Sequence, residues 1–176
     1  MIMIVIRIFL LFLVLTTCTL MGFAYGGRYG KRVTVLMALH QAIRLLETEI
    51  IVFANPLPVA ISNISKRISP EINGLFKIIL DEMQNNQSGD LYYSFLKTTD
   101  YLEKTCLLKA DDINVFLSLG KIIGKTNRND QEQQFKHVYN ELDLLILESK
   151  EEKNRNEKMY RSLGILLGLG IIIILI

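Results

Sequence analysis

Leu36-Met37-Ala38-Leu39-His40-Gln41-Ala42-Ile43-Arg44-Leu45-Leu46-Glu47-Thr48-Glu49-Ile50-Ile51-Val52-Phe53 carries the clearest helical period in the chain. Leu36, Leu39, Ile43, Leu46, Ile50 and Phe53 recur at spacings of three and four in strict alternation, the seam of an amphipathic or coiled-coil-like helix. A seam of this kind requires further helices to cover it, and the sequence downstream supplies them. Asn55-Pro56-Leu57-Pro58 stops the first helix, because proline lacks a backbone donor and disfavours helix in the residue before it. A shorter helix with Leu57, Ile61, Ile64 and Ile68 then completes a helical hairpin.

Ser69-Pro70-Glu71 supplies a cap, a first-turn proline and an acidic second position for a third helix, with Leu75, Phe76, Ile79, Leu80 and Met83 inward and Asn85 to Gly89 as its end. Leu91, Phe95, Thr98 and Leu102 line a fourth helix, and Asp111 or Asp112 can cap a fifth containing Ile113, Phe116, Leu117, Gly120 and Ile123. Asp130 with Gln133 resembles a capping box opening a last helix, whose stripe is Phe135, Val138, Leu142 and Leu145. That stripe would continue at Ser149 and Glu152 and so leave the core, while the absence of a breaker from Lys150 to Lys158 predicts one helix from about Asp130 to the C terminus, roughly 70 Å long. No alternating strand pattern competes.

Outside this region both ends are nearly uncharged. Every acid lies between Glu47 and Asp143 or in the run Glu148 to Glu157, and every base except Arg7 lies between Arg28 and Arg161. Ile8 to Tyr25 is 18 residues without a charge, long enough to cross a hydrocarbon core of roughly 30 Å as helix. A cleaved signal peptide is the rival, since Gly22 and Ala24 have small-x-small spacing and Leu15-Thr16-Thr17-Cys18 distantly resembles a lipoprotein box. Ser162 to Ile176 is a second uncharged run, of 15 residues, extended by Met159 and Tyr160 and apolar on all sides, which predicts a second span. Gly164 and Gly168 form a GxxxG spacing suited to close packing of membrane helices.

Arg28, Lys31 and Arg32 follow the first span, and Lys153, Arg155, Lys158 and Arg161 precede the second, which by the positive-inside bias predicts that residues 28–161 are cytosolic and both termini outside. The expected architecture is all-α: an antiparallel helical bundle between two transmembrane helices, the last helix continuous with the C-terminal span. Its parts are an anchor at 1–27, a cytosolic helical domain at 28–161 and a membrane segment at 162–176. With 20 Lys/Arg against 18 Asp/Glu, global charge gives no argument for a nucleic-acid partner. Two cysteines, Cys18 and Cys106, exclude a disulfide framework or a multi-cysteine zinc site.

No catalytic constellation is found, and the expectation is a protein without enzymatic activity, cofactor or metal. Gly124-Lys125-Thr126 ends like a phosphate-binding loop, but Leu119 stands where that motif needs its first glycine and no strand leads into it. His40 and His137 have Arg44 and Glu141 four residues on, with no second histidine or cysteine nearby. Adjacent acids such as Asp111-Asp112 diverge around a helix and cannot jointly hold an ion. The candidate partner surface is the polar opening of the last helix, Arg128, Asp130, Glu132, Gln133 and Lys136, against the plainer reading of a solvated helix start.

The Leu45-Leu46-Glu47-Thr48-Glu49-Ile50 helix end, Asn55-Pro56-Leu57-Pro58, Leu119-Gly120 to Gly124, and a charged stalk leading to Met159-Tyr160-Arg161-Ser162-Leu163-Gly164 occur in this order along the chain. The whole chain resembles the stage III sporulation protein AB family of endospore-forming bacteria. Asn55 stands where that family usually has Ser or Thr, and Val59 where it often has an acid. The resemblance implies a helical domain similar to the cytoplasmic domain of the type II secretion platform protein. It also implies a channel-like assembly with other membrane proteins in the mother-cell membrane facing the forespore, and a cytosolic sporulation ATPase related to secretion ATPases as partner. Two other readings compete: a membrane scaffold that homo-oligomerises through Gly164 and Gly168, and a signal-processed extracytoplasmic protein held by its C-terminal span.

Overall fold

The computed structural model describes residues 2–85, 90–123 and 128–175, with side chains over 9–85, 90–123 and 130–173. It is all-helical: α1 Ile2–Glu47, a π-helical turn Thr48–Val52, α2 Leu57–Ser65, α3 Pro70–Asn85, α4 Leu91–Leu96, α5 Thr99–Lys104, α6 Ala110–Ile122 and α7 Arg128–Leu175, with no strand among the described residues. The chain packs as two compact units, Arg32–Leu147 and Met1–Lys31 with Glu148–Ile176, so α1 and α7 each contribute to both.

The larger unit is a bundle built on the seam. Leu36, Leu39, Ile43 and Leu46 of α1 are fully buried together with Ile61 and Ile64 of α2, Leu75 and Phe76 of α3, and Phe135 and Leu142 of α7. Pro70 occupies the first position of α3, and the Ser69 carbonyl accepts from the amides of Ile72 and Asn73 at 3.2 Å. The rings of Phe76, Phe95 and Phe116 form the centre: Phe116 meets Phe76 edge-on at 6.4 Å and Phe95 at 5.2 Å between centroids. Gly120 is what lets α6 approach α4, since a Cβ there would lie 2.9 Å from the Phe95 ring.

Three expectations are corrected. Phe53, expected inward, is 61% exposed, while Glu49 is only 7% exposed. The cause is the π turn, whose extra residue rotates the following positions away from the seam line. The expected fourth helix is two, α4 and α5, broken where the hydroxyls of Thr98 and Thr99 bond to the carbonyls of Phe95 and Leu96 at 2.6 and 2.8 Å. Asp112 caps α6 as expected, but from inside the first turn: Lys109 is the N-cap, and Asp112 accepts from the Lys109 amide at 2.9 Å. Asp130 likewise lies inside the first turn of α7, which starts at Arg128. As expected, the α7 stripe leaves the bundle after Leu145: the bundle unit ends at Leu147, and Ser149, which is buried, belongs to the smaller unit.

Asp112 has a second task. Its carboxylate receives the Arg32 guanidinium in a two-point pair, Nε to Oδ2 and Nη2 to Oδ1, both 2.8 Å, with 5% and 0% of the side chains exposed. This pair fixes the start of the seam helix against the first turn of α6.

The smaller unit contains two antiparallel segments, since Gly22, Gly26 and Gly30 of α1 meet Gly164, Glu157 and Lys153 of α7 in turn. A Cβ on Gly22 would sit 2.7 Å from the Tyr160 carbonyl and one on Gly164 2.9 Å from that of Cys18. Glycine here removes the side chains that would hold the backbones apart.

Candidate docking surface

The end of the seam helix is pinned by one carboxylate. Glu49 Oε2 accepts from the side-chain amides of Asn55 and Asn63, each at 2.8 Å. The Asn55 backbone amide also donates to the Glu49 carbonyl at 3.0 Å, and Ala54 takes φ 52° to close this seven-residue turn. The Asn63 and Asn55 amides, in that order, hold the Glu49 carboxyl below its usual pKa against the opposing effect of burial, with help from the Arg67 charge. On this braced turn Val52, Phe53 and Val59 are 65%, 61% and 47% exposed, and Pro56 and Pro58 are exposed as well. A turn fixed in shape that presents apolar side chains has little ordering entropy left to lose on meeting a partner.

The polar opening of α7 is a different kind of surface. Asp130, Glu132, Gln133 and Lys136 are all exposed. Lys136 donates to Glu132 at 2.9 Å, one helical turn away, which lowers the Glu132 pKa and raises that of Lys136. Arg128 begins the helix, and its side chain lies outside those described. Gly124-Lys125-Thr126 also lies outside the described residues. Next along α7, Tyr139 donates to Glu47 at 2.7 Å, with burial and then that hydrogen bond raising its pKa far above the ordinary value. His40 stands 3.5 Å from Asp143 and His137 3.6 Å from Glu141. Among the described residues no three His, Cys, Asp or Glu side chains converge as a metal site would need.

In the smaller unit Gly164 and Gly168 are both buried, facing α1: Gly164 against Cys18 and Gly22, and Gly168 against Leu15 and Cys18. The surface around them is apolar, with Phe9, Phe12, Leu20, Leu166, Leu167 and Ile173 each at least 60% exposed. Phe9–Val52 contains a helix long and apolar enough to cross a membrane.

Residues 7–176 match the family described as stage III sporulation protein AB. The chain belongs to this family. It is 27% identical over 164 residues to the stage III sporulation protein AB of Bacillus subtilis strain 168, covering 93% of this chain and 95% of that relative. No solved structure matches it. Membership in a sporulation family over nearly the full chain makes this a sporulation protein.

Within this family member, the braced turn was only half legible. Asn55-Pro56-Leu57-Pro58 marks a turn in any sequence, and the resemblance drew attention to Asn55 as a departure from Ser or Thr. Nothing in spacing announces that Asn55 and Asn63 converge on Glu49, because the π turn that brings the carboxylate inward has no sequence signature. The exposed Val52 and Phe53 were hidden by the same π turn, which a heptad count runs straight through.

Proposed function

We propose that this sporulation protein is a non-enzymatic membrane platform whose cytosolic bundle, in the mother cell, docks a secretion-type ATPase within a channel-like assembly. The observation that carries the reading is the braced apolar turn: Val52, Phe53 and Val59 stand in solvent on a backbone held by Glu49, Asn55 and Asn63. Fixed apolar side chains are the usual anchors of protein contacts. The polar start of α7, Arg128, Asp130, Glu132, Gln133 and Lys136, is assigned the steering part of the same contact, since exposed charges contribute little to stability but set encounter and register.

Two membrane spans complete the platform. If α1 crosses the bilayer at Ile8 to Tyr25, then α7 from Gly164 to Gly168 lies at the same depth, because these glycines touch Cys18, Gly22 and Leu15. That intramolecular contact also occupies the faces through which the competing scaffold reading would have the chain self-associate.

The test is capture of the ATPase by the full-length chain in detergent. Val52→Ser with Phe53→Ser should abolish capture while leaving the melting temperature within a few degrees, both side chains being exposed. Arg128→Glu with Lys136→Glu should weaken it most at low salt. Full capture by the first variant would remove the turn from consideration. Lack of capture by the unaltered chain would favour the scaffold reading.

A further inference from the structure

Where the two helices of the smaller unit emerge from their glycine contact, charge and aromatic rings are sorted in a specific way. Residues 25–31 and 153–161 lie side by side, since Gly26 meets Glu157 and Gly30 meets Lys153. This band carries six bases, Arg28, Lys31, Lys153, Arg155, Lys158 and Arg161, and one acid, Glu157. The acid is paired with Arg161 one turn away. Arg28, Lys31, Arg155 and Lys158 are exposed. The acids that dilute the stalk, Glu148, Glu151 and Glu152, precede the band on the side away from the apolar ends, with Glu152 at its margin, near enough for its charge to act on Tyr29.

Three tyrosines lie within this band. Tyr160 of α7 stacks between Tyr25 and Tyr29 of α1, with centroids 6.2 and 5.9 Å away and planes inclined by 23° and 24°. The Arg161 guanidinium lies 4.7 Å over the ring of Phe23, just inside the apolar part. Amphipathic rings favour the headgroup level of a bilayer, and a base beside that level gains from anionic lipid. The band therefore has the two features that distinguish a headgroup site from a merely solvated helix face: aromatic anchors within about one helical turn, and an excess of positive charge over the same span.

We infer that this band is a binding collar for the phosphate headgroups of anionic phospholipids in the leaflet it faces. The inference rests on the membrane reading above but goes beyond it, because a span needs only hydrocarbon and is indifferent to headgroup. Each base near an anionic surface is worth roughly a fivefold change in binding, so neutralising three of the six should cut the preference while Lys31 and Lys153 retain part of it. Arg28, Arg155 and Lys158 are the residues to change, whereas Arg161 also holds Glu157 and Phe23.

The chain has no tryptophan, so its tyrosines report lipid contact directly. Full-length protein is reconstituted into vesicles in which brominated phosphatidylglycerol or brominated phosphatidylcholine, in turn, quenches tyrosine fluorescence. The quenchable fraction should show a several-fold preference for phosphatidylglycerol at low salt, reduced by salt and insensitive to soluble glycerophosphate. Arg28→Gln/Arg155→Gln/Lys158→Gln should lower the preference to less than half while leaving quenching by phosphatidylcholine unchanged. A variant with the same charge loss in the bundle, Lys66→Gln/Lys97→Gln/Lys104→Gln, should keep it. Equal quenching by the two lipids in the unaltered protein, or loss of preference in both variants alike, overturns the collar. Absence of quenching by either lipid overturns the membrane reading itself.

Discussion

Asp112→Ala is the sharpest test of how the bundle is held. The substitution removes both oxygens that receive Arg32 at 2.8 Å and the acceptor of the Lys109 amide at 2.9 Å. With only 5% of the Arg32 side chain exposed, its guanidinium is left in the interior without that carboxylate. Removing one member of a buried pair costs about 3–5 kcal/mol, and the lost cap on α6 adds about 1 kcal/mol. For a bundle of this size that corresponds to a fall in melting temperature of about 10–20 °C. The assay is thermal unfolding of the full-length chain in detergent, followed by far-ultraviolet circular dichroism. Asp112→Asn, which keeps one acceptor and the shape, should fall between the two. Raising salt to about 0.5 M should change the difference little, because solvent ions do not reach a pair this deep. A loss under about 1 kcal/mol for Asp112→Ala, or one that salt erases, would show the pair to be solvated and the reasoning wrong.

The remaining predictions concern the braced turn, the seam and the glycine contact. Glu49 has a lowered pKa when folded, so its contribution is full above its unfolded value near 4.5 and is lost as pH falls through the lower folded value; Glu49→Gln should flatten this acid-side loss, and an unchanged pH profile would count against the clamp. Leu46→Ala, at a fully buried seam position, should cost about 2–5 kcal/mol in the same melts, and Ile50→Ala, which is half-buried, distinctly less. Ala54→Gly should raise stability by up to about 1 kcal/mol by relieving the left-handed backbone at φ 52°. Gly168→Cys should form a disulfide with native Cys18 on mild oxidation, since a Cβ there lies 3.5 Å from that of Cys18, within the usual disulfide range; non-reducing gels would show it, and failure to cross-link would contradict the helix register.

The helical class, most of the breaks between helices and the inward face of the seam helix as far as Leu46 were legible in the sequence alone. Leu36 to Leu46 needed only the spacing of three and four, Asn55-Pro56-Leu57-Pro58 and Ser69-Pro70 are backbone chemistry, and the unbroken stretch past Lys150 required a single last helix, found as α7 from Arg128 to Leu175. These are local properties, set by side-chain period and by residues that cannot continue a helix. Family membership was legible too, because it resides in motifs and their order. The tertiary structure alone decided what depends on residues distant in the chain. Arg32 and Asp112 look like two surface charges until α1 and α6 are packed, Glu49 looks like a solvated acid until a π turn rotates it toward Asn55 and Asn63, and Gly22 reads as part of a cleavage site until Gly164 is found against it. A carboxylate or a glycine carries the same local preference in each setting; its role is fixed by which partner the fold places within 3 Å, and no spacing along one helix contains that distance.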